Sequence, residues 1–81
     1  MQVRVRLGAG LSSLAAAPML TVQVPDDGTV ADLCTRLRET EPELAPALDA
    51  ALPVVAGEHV PRDRRLADRQ EVAFLLPMSG G

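Results

Sequence analysis

Lysine is missing from these 81 residues, and all eight basic side chains are arginine. No ε-amine of this chain is therefore available to an activated acyl group. A base-composition bias in the gene would produce the same pattern. Tryptophan and tyrosine are also absent, leaving Phe74 as the one aromatic residue. With a formal charge of -3 and no basic cluster beyond Arg62-Asp-Arg-Arg65, the chain lacks the footprint of a nucleic-acid binder. That cluster reads as a solvated loop. A single cysteine excludes an internal disulfide framework, and Cys34 with His59 cannot make a standard structural zinc site. No apolar run approaches membrane-spanning length, and no phosphate-binding glycine loop or metal-ligand spacing occurs.

What is present suits one small domain, 47% apolar and neither disordered nor strongly charged. Arg4 and Arg6 ahead of Leu11-Ser-Ser-Leu-Ala-Ala-Ala17 superficially mimic a secretory signal. However, Val3, Val5 and Leu7 alternate with Gln2, Arg4 and Arg6 as a strand does, and Ser12-Ser13 interrupts the apolar stretch. A cytoplasmic protein is expected.

Gly8-Ala-Gly10 ends the first strand, and residues 11–17 have room for one or two helical turns before Pro18. Leu20-Thr-Val-Gln-Val24 alternates again, and Pro25-Asp-Asp-Gly28 is a turn. This predicts an antiparallel hairpin with an enlarged connection. Thr29 is a good N-cap with Asp32 three positions on. Val30, Leu33, Cys34 and Leu37 then follow helical spacing, until Pro42 disfavours helix at Glu41. Leu44, Leu48 and Leu52 suggest a second, short helical segment, with Pro46 near its start. Leu52-Pro-Val-Val-Ala56 reads as a strand turned at Gly57-Glu58, with a short extended piece at His59-Val60. Residues 62–68 form a polar loop pinned by Leu66, and residues 71–76 form the last strand. One long helix across a mixed four- or five-stranded sheet fits this order, with the first and last strands adjacent at its centre.

The side chains offer little chemistry. Cys34 lies in the apolar stripe of the helix, where a cysteine behaves as a small hydrophobe. His59 sits in a polar turn beside Glu58. In the last strand Val72, Phe74 and Leu76 face one side and Ala73 and Leu75 the other, and both sides are apolar. The long helix covers one side. The other meets either a partner or the segments at residues 11–19 and 44–52. Beyond this strand comes Pro77-Met-Ser-Gly-Gly81. Two terminal glycines arise by chance in roughly one chain in two hundred. A tail without side chains can thread a narrow tunnel, and five extended residues reach about 17 Å.

Ala67-Asp-Arg-Gln-Glu-Val-Ala-Phe-Leu-Leu-Pro-Met-Ser-Gly-Gly81 and the order of elements resemble the β-grasp sulfur carriers of the ubiquitin-like superfamily, closest to the small subunit of molybdopterin synthase, the MoaD type. Glu71, Val72, Ala73, Pro77, Gly80 and Gly81 match that family's ending. The helix start Thr29-Val-Ala-Asp-Leu33 is similar too. Val54-Val-Ala-Gly-Glu58 resembles its Val-Asn-Gly-Glu turn, with Ala56 where asparagine is usual. Arg69-Gln70 replaces Gly-Asp, Leu76 replaces a first proline, and Gly8-Ala-Gly10 stands where aromatic and charged residues are common.

The resemblance implies an α+β β-grasp domain over residues 1–76 and a flexible tail at residues 77–81. It implies a non-catalytic, sulfur-carrying subunit with no cofactor of its own. An E1-like adenylyltransferase would spend ATP to adenylate Gly81, and a sulfur donor protein would convert it to a thiocarboxylate. The large subunit of molybdopterin synthase would then pass the sulfur to cyclic pyranopterin monophosphate. Gly81 carries the chemistry and Gly80 gives passage. Ala73, Leu75, Pro77 and Met78 are the expected partner contacts. The same tail suits a carrier for cysteine, thiamin or secondary metabolites, or a ubiquitin-like protein modifier.

Overall fold

The computed structural model describes residues 1–8, 11 and 19–76. The expected helical turns at residues 11–17 lie outside these apart from Leu11, which is buried. The alternating apolar residues of Gln2–Leu7 form strand β1, which pairs antiparallel with β2, Met19–Gln23. The Pro25–Gly28 turn then delivers the chain to helix α1, Val30–Thr40. A capping box starts α1. The Thr29 hydroxyl accepts from the Asp32 backbone N–H at 3.3 Å, and the Asp32 carboxylate accepts from the Thr29 N–H at 2.8 Å. Such a cap is worth about 1 kcal/mol.

After α1 come a single 3-10 turn, Pro42–Leu44, and a one-turn helix α2, Ala45–Leu48, with Pro46 in its first turn. These place Leu44 and Leu48 in the core. Strand β3, Leu52–Val55, pairs antiparallel with the two-residue strand β4, Glu58–His59, and with β5, Glu71–Leu75. β5 also runs parallel to β1, so the sheet order is β2-β1-β5-β3-β4. The last strand is thus central and lies beside the first.

The β3–β4 turn comes one residue earlier than the sequence suggested, at Ala56-Gly57. Both residues have positive φ, 52° and 81°. A two-residue hairpin requires this to match strand twist, and Gly57 satisfies it without strain whereas Ala56 does not. Another left-handed residue, Arg69 (φ 66°), precedes β5. Its N–H donates to Gln2 O at 2.6 Å and Asp68 accepts from the Gln2 N–H at 2.8 Å, stitching this turn to the start of β1. β5 ends at Leu75, leaving Leu76 beyond the strand although packed on the core.

One core lies between α1, the α2 region and the inner face of the sheet, and among the described residues no buried side chain is polar. Val3, Val5, Val72 and Phe74 are wholly buried from the sheet side, as are Val30, Leu33 and Leu37 from α1.

Candidate functional site

Because β1, β3 and β5 alternate, the side chains that do not meet α1 share the opposite face of the sheet. Register places Met19, Arg6, Ala73, Val54 and His59 in one row across all five strands. In the next row Leu75 lies opposite Leu52. These two are the large apolar side chains left exposed among the described residues, at 44% and 37%. Leu75 rests across bare backbone. A Cβ at Gly8 would approach it to 2.7 Å and Phe74 O to 3.2 Å, so a side chain there would push Leu75 aside. Arg6 and Glu71 form an exposed ion pair at 3.4 Å beside Ala73. Val54, Ala73, Glu71, Gln70 and the Ala56-Gly57 turn line a shallow depression of about 320 Å³ on the same side.

Ala73 and Leu75 therefore stand on an open, partly apolar face at the strand that leads into the tail. Of the two segments that could have covered this face, Leu44 and Leu48 pack into the core instead, and residues 12–18 of the other lie outside the described residues. Pro77, Met78, Gly80 and Gly81 lie outside the described residues. Sequence reasoning did not mark Leu52 and Val54. The run Leu52-Pro-Val-Val55 is continuously apolar, so nothing local tells its inner side from its outer side. Pairing with β5 supplies that information.

The remaining candidates have structural surroundings. Cys34 is 3% exposed, and burial pushes its thiol up, against the opposing pull of the Arg62 guanidinium. Arg62 donates to Cys34 Sγ at 3.1 Å, to Leu48 O at 2.8 Å and to Ala51 O at 3.1 Å. This corrects the reading of residues 62–65 as wholly solvated. Arg64 and Arg65 are exposed, but Arg62 is half-buried and bolts the loop to α1 and to the entry of β3. His59 is exposed on edge strand β4. Among the described residues no cluster of His, Cys, Asp or Glu could hold a metal ion, and no helix is long and apolar enough to cross a membrane.

The ThiS family pattern matches residues 5–81. The chain belongs to the ThiS family of ubiquitin-like sulfur carriers. No curated protein matches it. Among solved structures it is similar to SAMP1 from Haloferax volcanii, at 26% identity with a TM-score of 0.89 over 100% of both chains. It is also similar to a putative molybdopterin converting factor, subunit 1, from Pyrococcus furiosus, at 21% identity and a TM-score of 0.84, covering 95% of this chain and 98% of that one. A third similar structure is the complex of subunits 1 and 2 of the molybdopterin-converting factor from Helicobacter pylori 26695, at 20% identity and a TM-score of 0.73 over 100% of both chains. The likeness extends over the whole β-grasp fold.

Proposed function

We propose that this protein is the sulfur-carrying small subunit of a molybdopterin synthase. The observation that carries the reading is an open apolar face, Leu52, Val54, Ala73 and Leu75, on the strand that runs into Pro77-Met-Ser-Gly-Gly81. A carboxylate is a poor electrophile, so an E1-like enzyme uses ATP to adenylate Gly81 and releases pyrophosphate. The terminal sulfur of a donor persulfide attacks the acyl carbon and AMP leaves. Thiol cleavage of the resulting acyl disulfide frees the thiocarboxylate. Each transfer thereby becomes two easier ones.

The open face docks first on the activating enzyme and then on the large subunit, with Pro77 and Met78 at the mouth and Gly80 passing inside. The Helicobacter pylori structure, a complex of two subunits, is the precedent for such a partner. The large subunit supplies the acid–base groups and transfers sulfur to cyclic pyranopterin monophosphate. Intact mass after incubation with ATP, a sulfur source and the cognate activating enzyme tests loading. Gain of one sulfur for one oxygen is expected, and an unchanged mass in a competent system rejects the carrier. Release of that sulfur to cyclic pyranopterin monophosphate when the large subunit is added tests the pathway.

The likeness to SAMP1, by name a small archaeal modifier protein, favours one second reading, attachment of Gly81 to lysines of other proteins. Deleting Gly81 abolishes both functions. Adducts of this chain on target proteins would separate them.

A further inference from the structure

Among the described residues β2 is an unpaired edge of the sheet, away from the tail-bearing strand. Met1 and Val24 exchange both backbone hydrogen bonds, at 2.7 and 2.9 Å. Antiparallel alternation therefore turns the backbone groups of Val22 and Leu20 toward β1, and those of Thr21 and Gln23 outward. The Gln23 carbonyl confirms the direction by accepting from Arg36 Nε at 3.1 Å. This leaves the Thr21 N–H and C=O and the Gln23 N–H without partners among the described residues. Beside them runs a groove of about 350 Å³ between β2 and the second half of α1. Leu20 and Val22 lie at its floor, with Arg36 and Thr40 on its helical wall and Glu41 at the end of that wall.

We infer that this edge binds a short extended peptide as a sixth strand, with alternate aliphatic side chains in the β2–α1 groove and a carboxylate beside Arg36. The backbone groups supply affinity and the groove supplies side-chain choice. Arg36 spends its Nε on Gln23 and stands 3.9 Å from Glu39 through one terminal nitrogen, leaving the other for the ligand. A second copy of the chain is the weaker occupant. A stable dimer needs about 1,200 Å² of buried surface, more than two five-residue edges provide, whereas a peptide of about five residues matches the edge.

The test uses the full chain and the peptide Asp-Val-Thr-Val-Thr-Val-amide carrying fluorescein on its N-terminus through a β-alanine spacer. Fluorescence anisotropy should show saturable binding, with the Thr21 and Gln23 amides gaining protection from hydrogen exchange. The same peptide N-methylated at its central residues should bind about tenfold or more weakly, because ladder hydrogen bonds are lost. Thr21→Pro, allowed where an edge N–H faces solvent, should do the same with an otherwise unchanged amide spectrum. Arg36→Ala should erase the preference for Asp over Asn at the first position. Equal affinity for the methylated peptide, or shifts centred on Ala73 and Leu75, overturns the proposal. So does self-association that removes the Thr21 exchange without peptide.

Discussion

Along β5, residues one step apart have opposite surroundings. Val72 and Phe74 are wholly enclosed between the sheet and α1, whereas Ala73 is half-buried and Leu75 is 44% exposed on the other face. The inner face resembles any close-packed core, where shape and volume decide stability. The outer face has the same apolar chemistry without a covering layer among the described residues, so its contribution to folding is small, and the proposed function gives it a role in association. Two adjacent residues of similar hydrophobicity can thus be separated by experiment, one acting on the fold and the other on a partner.

Phe74→Ala should cost about 3–5 kcal/mol, a large share of what a domain of this size possesses, and urea unfolding should show a collapsed midpoint. Arg62→Ala comes next. It removes the donor to the Ala51 carbonyl and leaves the Leu48 carbonyl only its 3.3 Å bond from the Ala51 N–H, and the expected loss is about 1–3 kcal/mol by the same measurement. Leu75→Asp should change stability by only about 0.5 kcal/mol. It should nevertheless abolish co-purification with the activating enzyme or large subunit, and retained binding would break the assignment of the outer face.

Smaller effects concern strain and ionisation. Ala56→Asn should add a few tenths of a kcal/mol, because asparagine tolerates the left-handed region better than alanine. Arg69→Gly relieves a similar strain but enlarges unfolded-chain entropy, so thermal unfolding should move little. The Cys34 thiol is raised by burial, so the unfolded chain ionises first as pH climbs. Its contribution to stability is complete below the ordinary thiol value and is lost on rising through the folded one. Cys34→Ser should flatten that alkaline decline in a pH series of denaturant midpoints.

Much of this architecture was legible locally. Thr29 and Asp32 announced the start of α1, and the alternation of residues 2–7 announced a strand. The terminal Gly80-Gly81 pointed to chemistry outside the side chains. These signals depend on residues within one helical turn or one strand, where backbone geometry follows from near neighbours. Three features depended on partners far away in the chain. Leu52 and Val54 joined the outer face only because β3 pairs with β5, and a continuously apolar run carries no phase of its own. Arg62 read as a surface charge until the carbonyls of Leu48 and Ala51 and the sulfur of Cys34 came within reach of its guanidinium.

Ala56 and Arg69 took left-handed backbone against their own preference, Ala56 because β3 and β4 pair on either side of its turn, and Arg69 where its N–H is held by the Gln2 carbonyl. By itself, then, the sequence determined which segments are helix and strand, and its Gly80-Gly81 pair is the source of the proposal that Gly81 is the reactive group. Only tertiary structure decided which apolar side chains stay exposed and which arginine is structural, because pairing across the sheet joins residues that no local pattern connects.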